Sequence, residues 1–196
     1  MNENSPVSEL KGVGPKRAAL LKKLGISTLG DVLEHYPRGY EDRREITKIS
    51  ELRLDLQNTF CAYVLEDAEN TRFKSITSTR CRVYDETGKI TLIWFNQPYI
   101  KNALKKGERF LFYGKYRKNF GKREVINPEI TPVPETEEPK GTIVPVYPKT
   151  EGITQKQLRG LIKTALESMG ENRADFIPVS VRQKYKLADR EFSVGN

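Results

Sequence analysis

Apolar residues recur with two different periods along this chain. In the first thirty-five residues they fall at helical spacing: Ala18, Leu21 and Leu24 share one face over 16–24, and Gly25 is placed to end that helix. Ser27 or Thr28 can cap a second helix, which runs through Val32, Leu33 and His35 until Pro37 stops it. From residue 58 the period shortens to two. Residues 59–66, 76–85 and 89–95 read as strands, and Asp85-Glu-Thr-Gly forms a hairpin turn between the last two. Residues 98–106 are helix-compatible, with Pro98 near the first turn and Gly107 at the end. Two more strands, 109–117 and 122–127, flank an Asn119-Phe-Gly turn. An acidic, proline-flanked loop follows at 135–140, then an extended segment over 142–148. Residues 154–169 form an amphipathic helix through Leu158, Leu161, Ile162, Ala165 and Met169, with Thr154 as N-cap. A last short helix is expected to start near Pro178 and include Val181, Gln183 and Tyr185, before a tail over 191–196.

The middle of the chain thus has the order βββ-α-ββ, the signature order of an oligonucleotide-binding (OB) fold. The predicted fold class is α+β: a five-stranded OB-fold β-barrel with a short N-terminal helical region and C-terminal helices. The expected segments are 1–56 (helical region and linker), 57–133 (barrel) and 134–196 (connecting loop and helices). Within the barrel, Ile90, Leu92 and Trp94 alternate against Thr91 and Ile93, so one face of that strand is expected in the core. The alternation then fails. Phe95 and Tyr99 follow, separated by Asn-Gln-Pro, and a proline there ends ladder pairing, which leaves an aromatic at a strand end. The leading pair of short helices, entered through Gly12-Val-Gly, resembles half of a helix-hairpin-helix, which serves either as a phosphate contact through glycine amides or as a packing unit.

Charge sharpens this picture. The net charge is +8, from 34 Lys/Arg and 26 Asp/Glu. Counted by segment, residues 1–56 carry 10 against 9, residues 57–133 carry 14 against 8, and residues 134–196 carry 10 against 9. The excess lies in the expected barrel. A basic segment of this kind points to a polyanionic partner, most often nucleic acid. Arg80, Arg82, Lys115, Arg117, Lys118, Lys122 and Arg123 lie on its strands or turns and are the candidate phosphate contacts. A slip of one residue in strand phase would reverse every face. Two cysteines, Cys61 and Cys81, allow neither a disulfide scaffold nor a four-thiolate zinc site, and they read as reduced core residues. His35, the single histidine, reads as a helix-surface residue; no nucleophile–base arrangement or paired carboxylates stand out. No apolar run of membrane-spanning length and no secretory leader pattern appear, so a cytoplasmic protein with no membrane partner is expected.

Six motifs, in order, resemble one family. Leu10-Lys-Gly-Val-Gly-Pro-Lys-Arg, Tyr36-Pro-Arg-Gly-Tyr-Glu-Asp-Arg-Arg, Trp94-Phe-Asn-Gln-Pro-Tyr, Gly114-Lys, Asn127-Pro-Glu and Pro145-Val-Tyr-Pro-Lys-Thr-Glu-Gly are similar to the N-terminal wedge region of the bacterial ATP-dependent DNA helicases of the RecG family, over about residues 8 to 189. The resemblance implies branch-migrating double-strand DNA translocases that rescue stalled replication forks and process Holliday junctions, with an OB-fold wedge at the branch point. It also implies that two wedge aromatics stack on bases where the parental strands part; the matching positions are Phe95 and Tyr99. ATP and Mg belong to the family's motor domains. This chain departs from the full pattern, because Gly114-Lys115 and Gly121-Lys122 lack the spacing and the hydroxyl of a phosphate-binding loop. The expectation is a non-catalytic DNA-binding piece of a longer helicase, with no cofactor of its own and with branched DNA and the motor domains as partners. The alternative is an OB-fold protein-interaction module docking on a motor domain or another protein.

Overall fold

A computed structural model describes residues 1–169. The helix expected from Pro178 lies outside the described residues. The chain divides into two units, Met1–Tyr40 with Pro145–Asn196, and Glu41–Val144. The sequence boundaries at 56/57 and 133/134 both fall within the second. Strands β1 (Gly39–Asp42) and β9 (Ile143–Val146), where the chain passes from one unit to the other and back, pair as a two-stranded ribbon.

In the first unit, α1 (Pro15–Lys22) begins with proline at its first position, where the missing N–H costs nothing, and the chain turns at Gly25 with φ 79°. Thr28 caps α2 (Leu29–Leu33) through a reciprocal box: its hydroxyl accepts from the Asp31 amide at 3.2 Å while the Asp31 carboxylate accepts from the Thr28 amide at 2.9 Å. The amides of Ser27, at 2.8 Å, and of Thr28 hold the Asp31 carboxyl below its usual range. The helix stops at Leu33, short of the expected run through His35. His35 instead stacks on Tyr147 and bonds the Pro148 carbonyl at 2.8 Å. α4 (Gln155–Met169) starts at the expected cap, with the Thr154 hydroxyl accepting from the Gln157 amide at 3.2 Å. Leu21, Leu29, Val32, Leu158 and Ala165 are fully buried together, so this core is assembled from both ends of the sequence.

The second unit is built on a seven-stranded sheet: β2 (Ile46–Thr47), β3 (Gln57–Val64), β7 (Arg109–Asn119), β8 (Lys122–Pro132), β6 (Gly88–Phe95), β5 (Ile76–Asp85) and β4 (Glu69–Phe73), in that order. Since β3 also pairs with β5, pairing returns on itself through β3, β7, β8, β6 and β5. All pairs in that ring are antiparallel except β6 with β8. These five strands match the expected ones, with β8 running on to Pro132. Two strands were not expected. β2 is two residues long, and all five residues of β4 are exposed, so neither leaves an alternation to detect. The helix expected over 98–106 is only one turn, α3 (Ile100–Ala103), because Leu104 is already extended and Lys105 and Lys106 lead into Gly107 at φ 84°. Within the ring, Phe60, Phe112, Val83, Leu92, Trp94, Leu104 and Val125 are buried almost completely.

Two polar anchors fix the segment entering this sheet. Asp85 accepts from the amides of Ile49 at 2.7 Å, Thr87 at 2.7 Å and Gly88 at 3.0 Å, and from the Thr87 hydroxyl at 2.6 Å. Burial alone would raise its carboxyl, but these donors outweigh burial and hold it below the usual range. A depressed folded value contributes stability above the unfolded pKa of about 4 and loses it as pH falls through the folded value. Asp85→Asn is expected to cost about 1–3 kcal/mol at pH 7. The gap from the native chain should shrink as pH falls below about 4 in urea titrations; a gap independent of pH would overturn this. The second anchor is Arg43, buried between Glu41 at 2.5 Å and Glu129 at 3.1 Å, with its guanidinium 3.6 Å above the Tyr113 ring. Burial pulls its pKa down, and the two carboxylates more than restore it.

Candidate nucleic-acid interface

Trp94 and Phe95 are consecutive and face opposite ways. Trp94 is 1% exposed, and its indole N–H donates to the Pro128 carbonyl at 2.8 Å. Phe95 turns outward and is 43% exposed. The strand then ends, because Asn96 adopts φ 55° and exchanges bonds with Thr77: its amide donates to the Thr77 carbonyl at 2.7 Å and its side-chain oxygen accepts from the Thr77 amide at 3.2 Å. Tyr99, at the start of α3, is 63% exposed, and its hydroxyl donates to Gln97 Oε1 at 2.9 Å. The backbone joining the two aromatics is held from three strands. Thr79 donates to the Gln97 carbonyl at 3.1 Å, Asn70 donates to the Pro98 carbonyl at 3.2 Å, and Asn127 Oδ1 accepts from the Phe95 amide at 2.9 Å. The Asn127-Pro-Glu motif thereby has a structural meaning: its members hold Phe95, Trp94 and Arg43 in turn.

Strand register settles which basic residues face outward with Phe95. Directly paired residues share a face. Arg80, Ile93, Ile126 and Lys115 form one row across β5, β6, β8 and β7, and Arg82, Thr91, Glu124 and Arg117 form the next. Phe95 pairs with Ser78, two residues from Arg80 on that same face. The ends of each row are about 14 Å apart at about 4.8 Å per strand. Arg80 and Arg117 are exposed, and neither has a carboxylate within ion-pair distance among the described residues. Lys118 and Lys122 are likewise exposed at the far end of β7 and β8. The remaining candidates are engaged: Arg82 pairs with Glu66 through both oxygens, Lys115 lies 3.7 Å from Asp55, and Arg123 donates to the Ile49 carbonyl beside the Tyr116 ring.

Other sequence candidates resolve into packing. Gly114 lies at a β-bulge between Tyr113 and Lys115, where an added Cβ would approach a Val125 methyl to 2.6 Å; glycine is there for space. Cys81 is buried and its thiol is pushed up to about 12, chiefly by burial and then by Glu66 and Asp67, so it stays protonated. Cys61 is half-buried. Sequence reasoning missed the β4–β5 hairpin, where Phe73 and Ile76 pair on the face shared with Phe95 and are 73% and 50% exposed. The signal available was the absence of any acidic residue from Asn70 to Tyr84, a span that holds Arg72, Lys74, Arg80 and Arg82. No group of metal-ligating side chains is found among the described residues, and no described helix is long and apolar enough to cross a membrane.

Fold and surface together define a mixed α+β module that presents two exposed aromatics together with exposed cations on neighbouring strands. Residues 6–169 match the family model described as the RecG wedge domain, and the chain belongs to that family. It is 34% identical over 188 residues to the ATP-dependent DNA helicase RecG of Thermotoga maritima, covering 94% of this chain and 24% of that protein. The Escherichia coli K12 helicase of the same name is 36% identical over 168 residues, covering 83% of this chain and 24% of that protein. The chain therefore spans about a quarter of the length of these curated relatives. A solved structure of RecG bound to a three-way DNA junction superposes over 100% of this chain and 27% of that one, with a TM-score of 0.80 and 32% identity.

Proposed function

We propose that this chain is the branched-DNA-binding wedge of an ATP-dependent DNA helicase and takes no catalytic part itself. The observation that carries this reading is the joint exposure of Phe95 and Tyr99 on a loop fixed by three strands, next to outward-facing cations. The structural match to a RecG bound to a three-way junction supports it. In this reading residues 57–133 are the wedge core, and the five strands whose pairing closes on itself form an OB-fold barrel. Phe95 and Tyr99 stack on the bases where the parental strands part and so cap the last base pair of the fork. Exposed aromatic faces suit that task because stacking tolerates any sequence. Arg80, Arg117, Lys118 and Lys122 take the phosphates first. Arg82, Lys115 and Arg123 must give up or share their present partners to join them. Motor domains of the parent helicase, which bind ATP and Mg, supply the work that remodels stalled forks and Holliday junctions.

Mobility-shift titration with fork, Holliday-junction, duplex and single-stranded DNA tests this directly. Forks and junctions should bind more tightly than plain duplex, and affinity should fall steeply with salt as counterions are released. Equal affinity for duplex and fork would remove the branch-recognition claim.

A further inference from the structure

The hairpin joining β7 to β8 breaks a local rule. Asn119 and Lys122 are its closing pair, so the turn is the two residues Phe120 and Gly121, with φ 46° and 78°. A two-residue turn with positive φ at both positions favours Asn, Asp or Gly at the first, since a bulky residue there is held in a region L-residues avoid. Phenylalanine occupies it instead and is fully exposed, at 101% of its reference area. The ring makes no aromatic or cation–π contact among the described residues, so the fold gains no packing from it. A side chain that is strained, apolar and solvent-facing at once points to a use outside the fold.

Its surroundings indicate the ligand. From Arg109 to Arg123 the chain holds six cations and no carboxylate. Arg109 is committed to the carbonyls of Pro134 and Glu137, and Arg123 to that of Ile49. Arg117, Lys118 and Lys122, within three residues of Phe120, have no ion-pair partner among the described residues. Glu124 lies directly across from Arg117 in the strand register. Cations flanking a single free ring match a nucleic-acid strand, phosphates to the ammonium and guanidinium groups and a base to the ring face. Register also separates this ring from Phe95. β6 and β8 run parallel with Thr91 beside Glu124, which puts Phe95 and Phe120 at opposite ends of that strand pair, roughly 25 Å apart at about 3.3 Å per residue.

We infer that the β7–β8 hairpin is a second DNA-contacting element, in which Phe120 stacks on an unpaired base of a DNA arm away from the Phe95–Tyr99 loop while Arg117, Lys118 and Lys122 hold the adjoining phosphates. The inference rests on the DNA-binding reading above. It is tested with the full 196-residue chain on a fork bearing one single-stranded arm, with 2-aminopurine placed at successive arm positions. Phe120→Asn suits the turn better than phenylalanine, so its melting temperature should hold or rise, while fork affinity falls at least about fivefold, the lower end of one lost stacking contact. Phe120→Trp should retain wild-type affinity. At one arm position, quenching of 2-aminopurine should vanish with Phe120→Asn and survive Phe95→Ala. Unchanged affinity and quenching in Phe120→Asn, with wild type still binding forks, would overturn this inference and leave the wedge reading standing. A fall in melting temperature would also overturn it, since the ring would then serve the fold. Absence of fork binding by the wild type would overturn both.

Discussion

Replacing Trp94 by alanine is expected to destabilise the 41–144 unit by about 3–5 kcal/mol, the largest single loss the structure supports. The side chain is 1% exposed within the ring of strands, and its indole N–H is satisfied by Pro128 at 2.8 Å. Truncation therefore leaves a cavity and strips a buried carbonyl of its donor. Trp94→Phe helps separate the two contributions, because it keeps most of the packing while removing the bond; about 1–2 kcal/mol is expected for it. Circular dichroism in urea is the measurement to use, since Trp94 is the sole tryptophan and its own fluorescence leaves with it. A loss below 1 kcal/mol for the alanine variant would contradict this account of the core.

The adjacent residue should behave in the opposite way. Phe95→Ala combined with Tyr99→Ala removes two exposed rings and should barely move the melting temperature. Affinity for forked DNA should fall at least about thirtyfold, given about 1–3 kcal/mol for each of two stacked bases. In the parent helicase, fork unwinding should drop far more than ATP hydrolysis. Unwinding that survives both changes would remove the stacking role. Neighbouring aromatics that separate stability from binding in this manner would be hard to explain if both belonged to one core.

That division was partly legible in the chain. The failing alternation after Trp94 and the proline at position 98 placed Phe95 at a strand end, and the structure exposes it. The face of each cation was not legible, because phase is set by pairing between distant strands: Arg80 and Lys115 meet in one row only through Ile93 and Ile126. Residues 69–73 gave no strand signal, since a strand with both faces in solvent has no reason to alternate. The 98–106 helix was overestimated because its proline start and glycine end were read as the limits of one element, although Leu104 leaves the helix to fill the core. Arg82 and Arg123 read as candidate phosphate contacts in the sequence, and only folding reveals Glu66 and the Ile49 carbonyl beside them.

The core shared by α1, α2 and α4 has a consequence for synthesis of the protein. Leu21 and Leu29 emerge from the ribosome early, but Leu158 and Ala165, which complete their cluster, follow only after the roughly 100 residues of the 41–144 unit. At about 5–20 residues per second, the first helices wait on the order of 5–20 s with their apolar faces uncovered. The stranded unit, contiguous in sequence, can close meanwhile. Translation order thus lets the stranded unit finish first of the two and leaves α1 and α2 dependent on α4, which is made only after it.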